Sequence, residues 1–334
     1  MRIGVAGVGR IGALHAATLR SVPAVRDLVV ADADADRGKA VAAELCAEYA
    51  ADTDALLASG LDGIVIATAT SSHAELITAS VRAGVPVFCE KPVAGDVAGS
   101  RAVCDAVDAA DVPVQVGFQR RFDRPYAALR VAVASGRLGF VHTLRATTLD
   151  PGPPPAAYIR TSGGIFRDCS VHDFDIIRWV TGREVIEVVA RGTNHGAPFF
   201  ADAGDVDSAA AMLTLDDRSF ALVSATRYNG AGYDVRLEVL GERGSIAAGL
   251  DDRVPLASAD SRVSFPPCPA WTGFLQRFAA AYVAELTAFT EVVAGTREVP
   301  CTVHDGLEAF LIAEACERSR ASGLAVPMAQ VRGR

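Results

Sequence analysis

Short apolar runs alternate with helix-like segments along the first third of the chain. Uninterrupted apolar runs are typical of strands buried on both faces of a parallel sheet. We therefore predict six strands joined by five helical connections within residues 1–118, the pattern of a Rossmann-type, doubly wound parallel α/β domain. The clearest runs lie at residues 2–6, 28–31, 63–68, 86–89 and 112–117, and the helices near 13–21, 37–49, 73–83 and 97–109.

The pattern changes after residue 118. Short turns, rather than helices, separate several alternating strands, which indicates a large, mainly antiparallel open sheet with one face free for a subunit partner. We expect a second α/β domain at 119–334, with C-terminal helices able to pack back on the first. Its helices are predicted near residues 125–135, 272–294 and 305–322, and its strands at 140–145 and from 184 to about 246.

A glycine-rich turn joins the first strand to the first helix. Gly7, Gly9 and Gly12 form the spacing GxGxxG, and Asp32 ends the next strand. The first glycine permits a tight turn, the second lets the backbone approach a pyrophosphate, and the third lets helix and strand pack closely. The helix N-terminus then faces the phosphates. This context predicts a dinucleotide site.

The residues around Asp32 favour NAD over NADP. A carboxylate at this position accepts hydrogen bonds from the ribose 2′-hydroxyl and repels a 2′-phosphate. Ala33 follows it, so no arginine stands directly beside the acid, and Arg10 and Arg37 are the nearby basic candidates.

Lys91 follows a predicted strand, and Pro92 favours an extended conformation for it. Ligands of doubly wound sheets bind at the carboxyl ends of the strands. A partly desolvated lysine there can hydrogen-bond a reacting oxygen and take part in proton transfer. A surface lysine after an edge strand is the alternative, and both interpretations stay open on the residues alone.

The segment 163–175 carries the other candidate chemistry. A helix over this segment places Asp168 and His172 one turn apart on the same face. A carboxylate beside an imidazole fixes its tautomer and stabilises its charged form, a common pairing for proton transfer. Taken alone, however, the pair is better explained by a helix cap and a hydrogen-bonded core histidine.

Composition narrows the class of protein. The chain has 334 residues, of which 50% are hydrophobic and 22% charged, with a net charge of -8. An acidic protein of this size argues against nucleic acid or an anionic membrane as the main partner. The sequence shows no apolar run long enough to span a bilayer and no hydrophobic leader. Seven cysteines without a C-x-x-C pair, and histidines without ligand spacing, predict reduced thiols, a cytoplasmic location and no metal.

Three motifs together resemble the Gfo/Idh/MocA oxidoreductases. They are the N-terminal glycine fingerprint, Glu90-Lys91-Pro92 and the pattern Gly163-Gly164 with Asp168 and His172, in the expected order over the whole chain. Pro153 to Pro155, Tyr158-Ile159 and Gly232 to Val235 are similar to the inositol 2-dehydrogenase branch. The resemblance implies a Rossmann domain followed by an α/β domain whose open sheet builds homodimers or homotetramers.

The resemblance also implies site residues. Lys91, Asp168 and His172 are expected to be catalytic. The residues expected to bind NAD are Gly7, Gly9, Arg10, Ile11, Gly12, Asp32, Arg37, Ala67, Thr68, His73, Glu90, Lys91, Gln119 and Arg120. Those expected to bind substrate are Lys91, Tyr158, Asp168, Cys169, His172, Asp175 and Tyr233.

The leading hypothesis is NAD-dependent oxidation of a secondary alcohol of a cyclic polyol or sugar, with myo-inositol as the first candidate. Cys169 and Leu149 depart from the residues expected in the inositol branch, and missing a hydroxyl partner can change substrate preference greatly. A dehydrogenase of another sugar, or of a sugar phosphate clamped by Arg160 and Arg167, is the first alternative. A non-catalytic NAD-sensing regulator is the second.

Overall fold

The computed structural model describes residues 1–260, 262 and 268–333. The chain divides into two compact units. The first consists of Met1–Gln119 and Ala280–Leu307, and the second of Arg120–Ala279 and Glu308–Arg334. The first unit thus gains a segment from the C-terminal third of the chain, while the predicted boundary at residue 118 stays a prediction.

Strands and helices are numbered in chain order. The strands are β1 (Arg2–Ala6), β2 (Asp27–Ala31), β3 (Glu48–Tyr49), β4 (Gly63–Ile66), β5 (Val87–Glu90), β6 (Val114–Gly117), β7 (Val141–Leu149), β8 (Val185–Thr193), β9 (Ser208–Leu215), β10 (Phe220–Thr226), β11 (Asp234–Gly241), β12 (Gly244–Ala248) and β13 (Val326–Pro327). The α-helices are α1 (Arg10–Ser21), α2 (Ala35–Leu45), α3 (Thr53–Leu57), α4 (His73–Arg82), α5 (Val97–Ala110), α6 (Arg124–Ala134), α7 (Ala156–Ile159), α8 (Val171–Thr181), α9 (Phe199–Asp202), α10 (Phe274–Arg277), α11 (Ala279–Val293), α12 (Val303–Ser322) and α13 (Ala329–Arg332).

The first unit contains a six-stranded sheet in the order β3-β2-β1-β4-β5-β6, in which every pairing is parallel. This order is the one described for Rossmann folds, so the predicted doubly wound sheet is confirmed. The strand β3 differs from prediction, because the sequence pattern places it in the end of a helix. Cys46 adopts a left-handed conformation with φ 51° and ends α2 early, which frees Glu48 to pair with Val29.

Apolar side chains from the centre of this sheet form the core of the first unit. Ile3, Val5 and Val65 are fully buried, and they belong to one cluster with Leu286 and Phe289 of α11. The rings of Phe88 and Phe289 meet edge to face, with centroids 5.9 Å apart. Burial on both faces of the sheet explains why its central strands are mostly apolar instead of alternating between apolar and polar residues.

The second unit contains a seven-stranded sheet in the order β12-β11-β7-β10-β9-β8-β13. Its pairings are antiparallel except that β7 and β10 run parallel, with Leu149 opposite Thr226. The mainly antiparallel sheet is therefore confirmed, and its one parallel pair brings two carboxyl ends side by side.

The predicted helix over residues 163–175 forms only in part. Gly163 and Gly164 have φ +80° and +95°, left-handed values that keep them outside a right-handed helix. A π-helical turn then covers Phe166–Ser170 and continues into α8. π-turns are rare and occur often at functional sites. Within the described ranges, no helix is long and apolar enough to cross a membrane.

Candidate active site

The glycine loop of the first unit has little room for side chains except at one position. Gly7 has φ +84°, and a Cβ on it would lie 2.8 Å from the backbone of Thr68. A Cβ on Gly12 would lie 1.9 Å from Gly7 O, so both contacts require glycine. A Cβ on Gly9 meets nothing within 4 Å. The loop therefore packs tightly against β4 and leaves open space beside the N-terminus of α1, where Arg10 and Ile11 begin the helix.

Asp32 closes the other side of this loop. Its Oδ2 accepts a hydrogen bond from Val8 N at 2.7 Å, and its Oδ1 accepts one from Asp34 N at 2.8 Å. Arg37 donates from Nη2 to Oδ1 at 2.6 Å. Burial favours the neutral acid, but the guanidinium and the two backbone N–H groups outweigh it, and the net pKa of Asp32 is lowered.

These features fit a dinucleotide cofactor. The open space at Gly9 adjoins a helix N-terminus, which attracts phosphate groups. Asp32 at the end of β2 is anionic. In dinucleotide-binding folds, a carboxylate at this position accepts hydrogen bonds from the ribose of the cofactor. Ala67 and Thr68 contact the loop from the end of β4.

The segment around Lys91 is held by two buried histidines of the same unit. His15 is fully buried, and its Nε2 lies 2.6 Å from Oε1 of Glu90. Nδ1 of His73 lies 2.7 Å from Pro92 O, and its Nε2 lies 3.2 Å from Thr68 O. The Lys91–Pro92 peptide bond is cis. The two histidines thus hold the Glu90 side chain before Lys91 and the Pro92 carbonyl after it, and the catalytic role of Lys91 stays a prediction.

In the second unit, Asp168 is fixed by two donors. The Tyr158 hydroxyl donates to Oδ1 at 2.8 Å, and Arg227 Nη2 donates to Oδ2 at 2.6 Å. Arg227 Nη1 also donates to Asp150 Oδ2 at 2.9 Å, and the Cys169 thiol lies 3.7 Å from the same oxygen. Burial, followed by the charge of Asp168, raises the pKa of Tyr158, so the phenol stays protonated as the donor.

His172 lies four residues after Asp168, as the second residue of α8, and its side chain is partly exposed. Cys169 is 8% exposed and Tyr233 is 5% exposed, whereas Tyr158 is 42% exposed. Burial, as the largest effect, raises the pKa of Tyr233. Among the proposed site residues of this unit, His172 and Tyr158 are therefore accessible to solvent, whereas Cys169 and Tyr233 are buried.

Two consecutive arginines pair with two aspartates of α8. Arg120 binds Asp173 and donates to the Thr148 hydroxyl at 3.0 Å, while Arg121 Nε donates to Asp175 at 2.9 Å. These four charged side chains are at most 5% exposed. Breaking such a buried pair costs about 3–5 kcal/mol, because it strands a charge in the interior.

This placement bears on two of the predicted site residues. Asp175 is fully buried against Arg121, so structural pairing accounts for its carboxylate, and contact with substrate stays a prediction. Arg120 is 2% exposed and belongs to the second unit, whereas Gln119, its neighbour in the predicted cofactor turn, belongs to the first.

Sequence patterns do not identify Arg227, Asp150, Thr148 and His15. Asp150 and Arg227 each directly follow a strand, and these two strands are parallel neighbours. Residues at the carboxyl ends of adjacent parallel strands lie close together. Because the alternating pattern predicts antiparallel strands in this region, it gives no indication that the two residues meet.

The fold and the nucleotide loop are those of a dinucleotide-binding protein with a Rossmann domain. Residues 1–118 match the oxidoreductase family with an NAD-binding Rossmann fold, and residues 126–247 match the C-terminal domain of the same Gfo/Idh/MocA family. The chain belongs to the Gfo/Idh/MocA family of oxidoreductases. The predictions of an enzyme and of NAD as its cofactor are thereby confirmed.

Relatives match over the full length. A myo-inositol dehydrogenase of Streptomyces leeuwenhoekii is 41% identical, covering 98% of this chain and 100% of that protein. A myo-inositol dehydrogenase of Corynebacterium glutamicum has a similar crystal structure, with TM-score 0.90, 34% identity and 98% of each chain covered. The structure of a scyllo-inositol dehydrogenase of Lactobacillus casei with bound NAD(H) and scyllo-inositol has TM-score 0.88 and 28% identity, covering 98% of this chain and 99% of that one.

Proposed function

We propose that this protein is an NAD-dependent inositol 2-dehydrogenase, with myo-inositol as its substrate. The observation that carries the proposal is the Asp168 carboxylate, which is fixed by Tyr158 and Arg227 one helical turn before His172. The names of the full-length relatives support a cyclic polyol as the substrate class.

In the proposed mechanism, the imidazole of His172 takes the proton from the hydroxyl oxygen of the reacting carbon. Lys91 keeps its proposed catalytic role, in which an ammonium group stabilises the negative charge that develops on an alcohol oxygen. The C–H bond of that carbon breaks with its electron pair as the C=O bond forms. The chemistry that NAD would supply when bound is an acceptor for this hydride, its nicotinamide ring. Each turnover therefore oxidises one alcohol to a ketone and leaves one proton on the imidazole.

Asp168 orients and tunes this proton transfer. A carboxylate near an imidazole favours the imidazolium that forms as the proton arrives. Tyr158 and Tyr233 are proposed to bind other hydroxyls of the ring, with Cys169 at the place where substrate preference is set. Asp175 is also proposed as a residue of the substrate site. Because Arg121 binds its carboxylate, we expect it to act by positioning neighbouring side chains.

A sugar phosphate fits the described contacts less well. Of the two arginines considered for a phosphate clamp, Arg167 donates to Glu314 Oε2 at 2.5 Å and to Gly163 O at 3.0 Å. The guanidinium of Arg167 is therefore already hydrogen-bonded within the second unit. Arg160, which is exposed, remains as the candidate for binding a phosphate. A neutral polyol is the better match to these contacts.

A substrate panel tests the proposal. We expect the purified protein to reduce NAD with myo-inositol, followed as NADH absorbance, and to show lower kcat/KM with scyllo-inositol, glucose and glucose 6-phosphate. Higher kcat/KM with the sugar phosphate would replace the polyol assignment. NAD binding without turnover of any compound would support the sensor alternative.

We further propose that the protein is a cytoplasmic homodimer or homotetramer associated through the open face of the second sheet. Large apolar side chains lie on that face at exposed positions of β9 and β10, namely Met212, Phe220 and Leu222. Their neighbours Leu213, Ala221 and Val223 are buried on the opposite face. An exposed apolar patch of this kind is typical of a protein interface.

A charged side chain introduced on the open face of the second sheet is expected to dissociate the oligomer. In Leu222→Glu, a carboxylate replaces an apolar group that would be buried between subunits, which is costly for an unpaired charge. Light scattering after gel filtration should then show a lower mass than for the unchanged protein. Leu324→Glu places the same charge at an exposed position outside this sheet and should leave the mass unchanged. Equal masses for all three proteins would contradict the proposed interface.

A further inference from the structure

Arg227 joins two carboxylates that come from different parts of the second unit. It follows the last residue of β10, and Asp150 follows the last residue of β7, where Leu149 stands opposite Thr226. Asp150 N donates to Thr226 O at 2.9 Å, and Asn229 N donates to Asp150 O at 2.8 Å. The backbone thus fixes the spacing of Asp150 and Arg227 before their side chains meet.

Because of this spacing, the guanidinium of Arg227 reaches Asp168 in the π-helical turn. Its side chain is 4% exposed, and its two terminal nitrogens donate to Asp168 and to Asp150. A planar guanidinium can bind two carboxylates at once in a fixed geometry, which an ammonium group cannot do. Asp168 consequently has one oxygen on Arg227 and the other on the Tyr158 hydroxyl.

The charges of the cluster do not cancel. One arginine faces two aspartates, and Cys169 and Tyr158 add neutral donors. Burial raises the pKa of Asp150, although Arg227 opposes this change. Burial alone lowers the pKa of Arg227, but the neighbouring carboxylates of Asp168 and Asp150 outweigh it, so the net pKa is raised and the guanidinium stays charged.

We infer that Arg227 is a positioning residue that holds the Asp168 carboxylate in a fixed orientation, and that Asp150, which shares the same guanidinium, takes part in setting the charge around Asp168. This inference rests on the proposed function, because it acts through Asp168 and His172. It adds two residues, from the ends of β7 and β10, to the groups that tune the proton acceptor.

The two residues are expected to change the pH dependence in opposite directions. His172 must be neutral to take the proton, so activity falls at low pH as it becomes charged. Loss of the positive charge of Arg227 favours the imidazolium form of His172. In Arg227→Gln, the acidic limb of the kcat/KM profile should therefore move to higher pH by about half a pH unit to one unit. Loss of negative charge in Asp150→Asn disfavours the imidazolium, so that limb should move to lower pH.

The experiment compares pH profiles of kcat/KM for myo-inositol oxidation at saturating NAD. Arg227→Lys keeps the charge but cannot bridge both carboxylates, so it should retain the position of the limb and lower kcat. Arg178→Gln is the matched control, since Arg178 is 11% exposed and bound to Glu184 in the same unit. It should show the unchanged limb even if its melting temperature falls.

Opposite movements of the limb in Arg227→Gln and Asp150→Asn support the inference, because loss of structure alone would not produce both signs. If Arg227→Gln does not fold, the direction measured for Asp150→Asn decides.

Asp168→Asn distinguishes failure of this inference from failure of the proposed function. A large loss of activity in Asp168→Asn, with unchanged limbs in the other two variants, would overturn the role of Arg227 and leave the proposed function standing. Full activity of Asp168→Asn would overturn the proposed function itself.

Discussion

His172→Ala is expected to lower kcat/KM for myo-inositol oxidation by about 10²- to 10⁴-fold, the usual cost of removing a general base. The loss should appear in kcat at every pH where the unchanged protein is active, because no other group takes the hydroxyl proton in the proposed mechanism. Initial rates of NADH formation measure it directly.

Two controls make this result specific to catalysis. NAD binding, measured by the quenching of protein fluorescence, should be unchanged, since none of the groups that form the glycine loop is altered. His142→Ala removes an exposed histidine of β7 in the same unit and should keep the normal rate. A near-normal rate for His172→Ala with an active polyol would remove His172 from the role of base.

Asp32→Ser is expected to reverse the preference for NAD. The variant loses an anionic acceptor for the ribose, and a hydrogen bond to a charged group contributes about 1.5–3 kcal/mol. Catalytic efficiency with NAD should therefore fall about 10- to 100-fold, since about 1.4 kcal/mol corresponds to tenfold. Efficiency with NADP should rise, because the repulsion of its 2′-phosphate is removed and Arg37, which also pairs with Asp34 at 3.4 Å, is released from Asp32.

The double variant Asp32→Ser with Arg37→Ala tests the second part of this argument. Arg37 binds both oxygens of Asp32, at 2.6 Å and 3.2 Å, and its side chain is 47% exposed, so it can turn towards a phosphate. The double variant should keep the loss with NAD and lose most of the gain with NADP. A gain of the same size in both variants would show that relief of repulsion, and not Arg37, explains the change.

Local patterns are sufficient to predict most of the first unit. Apolar runs predict its strands, and GxGxxG with Asp32 identifies the nucleotide loop, because both signals lie within a few dozen adjacent residues. The strand β3 escapes prediction because Cys46, a residue without the freedom of glycine, adopts a left-handed conformation. The substrate residues depend on resemblance, since Asp168 and His172 alone are better explained by a helix cap and a hydrogen-bonded core histidine.

The Rossmann domain, the nucleotide loop and the class of enzyme can be predicted from the sequence alone, which also proposes Asp32 as the acid that selects NAD and Asp168 with His172 as a catalytic pair. These depend on glycine conformations, strand periodicity and the spacing of one helical turn, which are properties of neighbouring residues. The groups that hold Asp168 become apparent only in the folded chain. Arg227 is 59 positions from Asp168 and 77 from Asp150, and it meets both because β7 and β10 run parallel although two strands separate them along the chain. Likewise, Arg121 and Asp175 pair across 54 positions. Such contacts follow from the order of the strands and from the packing of helical segments, for which no local pattern carries a signal.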